Sequence, residues 1–403
     1  MDRPNIIVFD DTTVITEHAV GKDTETTMSS KMRTVLVAGR GAAVTAVISA
    51  VSALPGVGTV RQVGEIDIHN TTRQFAGADI LIEMVGGVTP AFAVAMAALG
   101  SGMACITANP LLVATHGRVL HNAANGQQAY FGFQAAGFGV PVGELMAAAR
   151  PHKASVSFVS AASMALTRMA FRNESLGTVS AHFKMQKLDL SDWGGKVTQA
   201  RAMALRSLWF KDDLRGAQIN RVGVEQVEPT DVRRLRNFGL QPVFGAEITE
   251  HGLYTGPLAV ASGSPLIQGN AQDVLVAETG HGEMVLMHSA DETERMVSGV
   301  VADMRQYLRS AKPALITEVR NYGAAVHRDA VRAYVRIPYT EREQILAAKP
   351  EVMQERTDGD GLWQAVVAVE SLDDLRIGAF GGVVYPLNGS WQAPAASALR
   401  LVG

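Results

Sequence analysis

Residues 33–56 read RTVLVAGRGAAVTAVISAVSALPG. Val35, Leu36, Val37 and Ala38 form a continuous apolar run, the pattern of a parallel strand buried on both faces. Gly39-Arg40-Gly41 supplies a turn, Ala42 to Leu54 is helix-compatible, and Pro55-Gly56 stops the helix. A strand, a glycine turn and a helix in that order are the setting of a dinucleotide fingerprint. The first glycine permits the tight turn. The second lets the backbone approach a pyrophosphate at the positive end of the helix. A third glycine would stand at position 44, where this chain has Val44. That glycine ordinarily allows close helix–strand packing, so Val44 predicts a looser fit.

Working outward, TVRQVGEID (59–67) reads as a second strand and ADILIEMVGG (78–87) as a third. TPAFAVAMAALGSG then reads as a helix and MACITAN as a fourth strand. Strand and helix alternating at short intervals predict a doubly wound parallel sheet. Glu65, near the end of the second strand, suits a ribose hydroxyl, whereas Arg40 suits a 2′-phosphate. Both NAD and NADP stay open. No charged residue stands between Glu83 and Arg118, but Gly86, Gly87, Pro90, Gly100, Gly102 and Pro110 break the stretch. A buried β-α-β piece accounts for it better than a membrane span.

The whole chain fits this class. It has 403 residues, enough for two or three domains, and 47% of them are hydrophobic, enough to build cores. The formal net charge of −3 argues against nucleic acid. The single cysteine, Cys105, excludes a disulfide scaffold and a cysteine-built zinc site, and no metal is expected. Cys105 itself suits an apolar core. The N-terminal segment lacks a signal-peptide pattern, so a cytoplasmic location is expected.

The expected division is a strand and linker over 1–32, a Rossmann-type domain over 33–140, an α+β substrate and dimerisation domain over 141–312, and a small α+β module over 313–403. Residues 141–150, 196–211 and 291–310 are helix-like, and 154–164, 179–187, 223–228 and 272–288 contain strand-like runs. NIIVFDDTTVIT (5–16) predicts one further strand. Ser289 is the expected cap of the helix that follows it. From RAYVRIPY to GGVVYPLN the order β-α-β-β-α-β predicts a ferredoxin-like module.

Six blocks together resemble homoserine dehydrogenase, in that family's order and spacing. They are ADILIEMVGGVTPA (78–91), ALGSGMACITANPLLVATHGRVL (98–120), FQAAGFGVPV (133–142), SDWGGK (191–196), PLAVASGSPLIQGN (257–270) and MVSGVVADM (296–304). The resemblance covers about residues 33–310 and implies reversible hydride transfer between aspartate semialdehyde and homoserine by a homodimer using NAD(P). It places Gly39, Arg40 and Gly41 on the pyrophosphate. Val85, Gly86, Gly87, Thr107, Ala108 and Asn109 would approach the nicotinamide side. It makes Asp192 and Lys196 the catalytic pair. Residues four apart on a helix share a face, so Asp192 would hold Lys196 charged and aimed. A positioned ammonium can protonate the alkoxide formed when hydride reaches an aldehyde. The alternative for such a pair is a surface ion pair of small energetic weight.

The chain also departs from the family. Pro110 stands where the family has a second cationic catalytic lysine. Ser160, Ala161, Ala162 and Ser163 replace its Asn-Gly-Thr-Thr-Asn segment, and Gln134 replaces a glutamate. Where a carboxylate would grip the substrate amino group, residues 181–187 read AHFKMQK, with Lys184 and Lys187. Added lysines repel an ammonium and attract a carboxylate or phosphate. Ser163, Lys184, Lys187, Asp189 and Trp193 are the candidate pocket residues, Asp189 and Lys187 by proximity alone, and Trp193 suits the core equally. The loop PYTERE (338–343) lacks the glycine of the family's regulatory site, which argues against threonine feedback. The expected function is an NAD(P)-dependent oxidoreductase of a small amino-acid-derived aldehyde or alcohol, diverged from homoserine oxidation. A lyase-type enzyme or a nucleotide-binding subunit on the same scaffold is the alternative.

Overall fold

The computed structural model describes residues 5–6, 32–64, 66, 71–139, 142, 151–172, 174–186, 192–210, 218–249, 252–268, 272–280, 282–289, 291–309, 331–369 and 382–388. They fall into two units. The first draws on Met1–His152, Ala200–Gly216 and Ala277–Val319. The second draws on Lys153–Gln199, Ala217–Val276 and Arg320–Gly403.

The chain begins with β1 (Asn5–Ile6), β2 (Arg33–Gly39), α1 (Ala42–Ser52), β3 (Val57–Val63), α2 (Thr71–Phe75) and β4 (Ile80–Met84). It continues through α3 (Thr89–Gly100), β5 (Ala104–Thr107), α4 (Pro110–Gly126), β6 (Phe131–Gly132) and a 3-10 turn at Gln134–Ala136. Then come β7 (Lys153–Ser157), α5 (Ala161–Arg172), α6 (Leu176–Met185), α7 (Lys196–Phe210), β8 (Gln218–Arg221) and α8 (Pro229–Arg236). Next are β9 (Leu240–Thr249), β10 (Gly252–Ala261), α9 (Pro265–Gln268), β11 (Gln272–Thr279), β12 (Gly282–Ser289) and α10 (Glu292–Arg309). The last elements are β13 (Val331–Pro338), α11 (Arg342–Leu346), β14 (Glu351–Thr357), β15 (Leu362–Val369) and β16 (Val383–Asn388).

Among the described residues, the first unit has a five-stranded parallel sheet in the order β3-β2-β4-β5-β6. Successive side chains of a strand point to opposite faces, which divides the core in two. Val35, Val37, Ile80 and Ile82 pack with Val44, Val47 and Val51 of α1 and with Val300 and Met304 of α10. Leu36, Ala38, Leu81 and Cys105 meet α3 and α4 on the other face. Each aliphatic side chain so buried stabilises the unit by about 1.5–3 kcal/mol. Helices on both faces of a parallel sheet make this a doubly wound Rossmann-type arrangement.

The second unit is built on a mixed sheet. β9 and β10 form a long antiparallel hairpin, with Gly245 opposite Gly256. β7 lies antiparallel on β9, and β8 lies parallel to β10. β10 also pairs in parallel with β16, Ala259 opposite Leu387 and Val260 opposite Asn388. From there the order is β16-β13-β15-β14, antiparallel throughout. In the module's own numbering that is fourth, first, third, second, as a split β-α-β pattern produces. The second expected helix of that pattern, LDDLRIG, lies outside the described residues.

Three local expectations are corrected. Residues 179–186 belong largely to α6 and are not a strand: Val179 and Phe183, four apart, are its buried positions, the spacing of one helix face. Residues 223–228 hold a 3-10 turn at Val224–Gln226 in place of a strand. The cap before α10 is Asp291, whose Oδ1 accepts from the Glu294 amide, while Ser289 Oγ accepts from the Asp291 amide. Of the first expected strand only Asn5–Ile6 is described, parallel to β12 with Asn5 opposite Met284. No helix among the described residues is long and apolar enough to cross a membrane.

Candidate functional site

In a doubly wound sheet, ligands bind beyond the carboxyl ends of the strands, where strand order reverses. Here that point lies between β2 and β4. β2 ends at Gly39, with φ +144°, and a Cβ there would strike the Met84 carbonyl, its carbon at 2.9 Å. Only glycine allows the two strand ends to come so close. Gly41 caps α1 at φ +113°, and its carbonyl accepts from the Thr45 amide. Gly86 and Gly87, after β4, also have positive φ. A Cβ on Gly41 or Gly86 would meet no atom within 4 Å. The backbone thus faces open space at a helix N-terminus and at the neighbouring loop, which fits a pyrophosphate and the nucleotide it carries.

Three side chains, Glu83, Thr107 and Asn109, tie the loop after β4 to the loop after β5. Glu83 is fully buried in β4; its Oε1 accepts from the Val85 amide at 2.7 Å and its Oε2 from Thr107 Oγ1 at 2.6 Å. Thr107 Oγ1 in turn accepts from the Asn109 amide, and Asn109 Nδ2 donates to the Gly87 carbonyl at 2.6 Å. Asn109 Oδ1 caps α4 by accepting from the Leu112 amide, and Pro110 occupies the first helical position. Val85–Gly87 and Thr107–Asn109, expected near the nicotinamide, are therefore tied into one network. Burial pushes the Glu83 carboxyl above its ordinary value, against the pull of its hydrogen bonds. A lone acidic residue in the apolar run ILIEM was the sequence signal for Glu83.

Val44 is buried against Val35 and Val37, so the position of the missing glycine is a packed core contact. Arg40 is exposed at the turn and lies against Gly64, just past β3, where a Cβ would come within 3.1 Å of its guanidinium carbon. Gln62 Nε2 donates to the Gly39 carbonyl at 3.0 Å, tying the ends of β3 and β2. Glu65 lies outside the described residues. Cys105 is buried in β5, and burial and the Glu83 charge push its thiol well up. His116 stacks on Phe92 at 4.2 Å, a packing role.

In the second unit Asp192 and Lys196 are not partners on one helix face. Asp192 sits in the turn before α7, and its carboxylate accepts from the Val197 amide at 2.6 Å, the Thr198 amide and Thr198 Oγ1 at 2.7 Å. It is a buried helix cap, and its negative charge complements the positive helix end. Lys196 is the first residue of α7 and is exposed. Gly195 joins them at φ +69°; a Cβ there would come within 2.8 Å of Phe244. The turn is therefore set by a cap on one side and an aromatic wall on the other.

Trp193 meets Phe183 edge-on at 6.0 Å and packs on the cluster of Ala162, Val179 and Phe244, which makes it chiefly a core residue. Ser163 stands in the first turn of α5, where Ser160 and Ser163 exchange hydrogen bonds. It also lines a cleft of about 260 Å³ with Thr167, Arg168, His182, Gln186 and Gln241. Lys184 is exposed on α6. Lys187 and Asp189 lie outside the described residues. No cluster able to hold a metal ion occurs among the described residues.

Solved structures that superpose on this chain include homoserine dehydrogenases. The enzyme from Thiobacillus denitrificans superposes with a TM-score of 0.71 at 15% identity, covering 88% of this chain and 98% of that one. The chain has the homoserine dehydrogenase fold. The S. aureus enzyme superposes with a TM-score of 0.67 at 16% identity, covering 89% of this chain and 99% of its own. A mutant of a hyperthermophilic archaeal homoserine dehydrogenase, in complex with NADPH, superposes with a TM-score of 0.58 at 16% identity over 68% of this chain and 97% of that one. No family model and no curated protein sequence matches the chain.

Proposed function

We propose that the chain is a nicotinamide-nucleotide-dependent oxidoreductase that interconverts a small amino-acid-derived aldehyde and its alcohol. One observation carries this reading. Four glycines at positive φ, Gly39, Gly41, Gly86 and Gly87, lie at the carboxyl end of the parallel sheet, and Glu83 and Asn109 tie the Gly86–Gly87 loop to the loop after β5. When bound, the nicotinamide supplies or accepts the hydride. The backbone amides at the start of α1 hold the pyrophosphate. Arg40, folded over Gly64 at the end of β3, stands where the adenosine ribose lies in such folds and favours the 2′-phosphate of NADP.

Lys196 donates a proton to the oxygen of the aldehyde being reduced, and takes it back in the reverse direction. Asp192 acts by ordering the turn that presents Lys196, through its bonds to Val197 and Thr198. With Lys184 and Lys187 in the stretch where the family's carboxylate has no clear counterpart, the preferred substrate bears an anionic group and no free ammonium next to it. The test is NADPH oxidation against a panel of short aldehydes with and without a carboxylate. Turnover should favour the carboxylated ones, and Lys196→Ala should lower kcat by about 10²–10⁴-fold without changing the Kd for NADPH. A Lys196→Ala enzyme as active as the parent would remove Lys196 from the reaction.

Pro110 favours a second reading. With a proline in the place of the family's second catalytic lysine, the scaffold would bind a nucleotide without hydride transfer, as a lyase-type enzyme or a binding subunit. Product formed with no change in nicotinamide absorbance would establish that alternative.

A further inference from the structure

A carboxyl group outside these loops lies buried in the first unit. Asp303 of α10 is 1% exposed. Its Oδ2 accepts from the Gln134 amide at 2.9 Å, and its Oδ1 accepts from Tyr130 Oη at 2.9 Å and Gln134 Nε2 at 3.2 Å. Gln306, one turn on, accepts from Tyr130 Oη at 3.1 Å. All three donors to Asp303 are neutral. Gln134 Oε1 is buried without a hydrogen-bond partner. The approach is close: a Cβ on Gly132 would lie 2.7 Å from Asp303 Cγ, and one on Gly299 would lie 2.8 Å from Ala135 Cβ. Gly299 and Asp303 are four apart, so one face of α10 holds the whole 3-10 turn. That turn opens the loop after β6, next to β5, at the same sheet end as the loops carrying Gly39, Gly86 and Asn109.

A carboxylate buried among neutral donors is held at a cost that its protonated form does not bear. Among the described residues a cation does reach α10, Arg33 at the start of β2, which lies 5.6 Å over the Tyr307 ring and pairs with Asp79, but no cation contributes to the shift of Asp303. α1 carries no titratable side chain, β5 offers only the Cys105 thiol, and β12 contributes Glu283 and His288. The charged residues of α10 itself are Glu292, Glu294, Arg295, Arg305 and Arg309, and Asp303 owes its shift to none of them. Burial outweighs the three hydrogen bonds and pushes the carboxyl up to about 7. The sign follows from linkage. A carboxyl raised in the closed state favours closure at low pH, and that advantage is lost as pH rises through the raised value. A half-turn of the Gln134 amide presents its oxygen to the protonated carboxyl.

We propose that Asp303 is a proton-operated latch on the loop after β6: protonated, it holds the 3-10 turn against α10, and loss of the proton releases the loop and weakens nucleotide binding. The nucleotide part rests on the function proposed above; the latch does not. Asp303 is a positioning residue and contacts no nucleotide in this scheme.

The test pairs two measurements on the full chain between about pH 5.5 and about pH 8.5. The first is the hydrogen-exchange protection factor over residues 133–139 without nucleotide. The second is NADPH affinity. Protection should fall and Kd should rise with pH, by at most about tenfold per pH unit, with one shared midpoint. Asp303→Asn, a neutral mimic of the protonated state, should abolish both dependences. Tyr130→Phe removes a hydrogen bond that lowers the carboxyl, so it should move the midpoint to higher pH without abolishing it. A midpoint in protection that Asp303→Asn removes, with no NADPH bound at any pH, upholds the latch and sinks the nucleotide reading. Identical pH profiles for the parent and Asp303→Asn overturn the latch, as does an unmoved midpoint in Tyr130→Phe.

Discussion

Glu83 and Asp192 do their work by holding backbone. Glu83 gathers the Val85 amide and the Thr107 hydroxyl, so it sets two loops at once. Glu83→Gln keeps the shape but turns an amide donor toward one of those donors. It should cost about 1–3 kcal/mol of loop order, read as NADPH binding about tenfold or more weaker. An unchanged Kd would remove Glu83 from the cofactor site. Asp192→Ala uncaps α7 and should cost about 1–2 kcal/mol in urea unfolding, with no change in NADPH affinity. These roles were only half legible in the sequence. Sequence reading passed over Glu83: the single charge in ILIEM was the available signal, and one of its partners, Thr107, comes from a strand 24 residues away. Asp192 and Lys196 were visible as a spaced pair. Their real relation was not, because Gly195 at positive φ starts the helix between them.

Among the elements, the C-terminal strands are joined to the rest of the second unit by more than the β10–β16 pairing. Arg336 of β13 meets Asp231 of α8 at 2.6 Å, both buried, and Arg234 reaches Asp358 and Asp360. Burial raises the Asp231 carboxyl even beside Arg336. Asp231→Ala would strand a buried guanidinium and should cost about 3–5 kcal/mol, seen as a lowered denaturant midpoint. Glu355 behaves oppositely. Trp363 Nε1 donates to it at 2.6 Å and Arg342 flanks it, which hold its carboxyl below the ordinary value. Its contribution is therefore present above the unfolded pKa and lost as pH falls through the lowered one. Glu355→Gln should flatten the acid dependence of β14–β15 hydrogen exchange; an unaltered acid limb would contradict this.

The same scale shows what sequence patterning misses. The β9–β10 hairpin carries Pro242, Gly245, Gly256 and Pro257, which read as breakers. In the sheet Gly245 is needed because a Cβ there would collide with the Val156 carbonyl of β7. Its residues are buried on both faces, so no alternation survives. α6 was mistaken for a strand because VSAHFKM alternates over a short window, and only the Val179–Phe183 spacing marks the helix.

For the molecule as a whole, the parallel sheet was legible because its strands are continuous apolar runs closed by glycine turns. The likeness to homoserine dehydrogenases extends over nearly 90% of the chain in two of the solved structures, at 15–16% identity. Fold persists at that distance while substrate groups change. If the proposed function holds, Pro110 and Lys184 mark such changes, and homoserine with NADP should give little turnover. Robust reduction of NADP by homoserine would refute that expectation. The central claim is that the glycine loops of the first unit hold a nicotinamide nucleotide. The most direct measurement is a fluorescence titration of the purified protein with NADPH and NADH. The account predicts saturable binding, tighter for NADPH, with the NADPH preference lost in Arg40→Ala. A folded protein that binds neither nucleotide would contradict it.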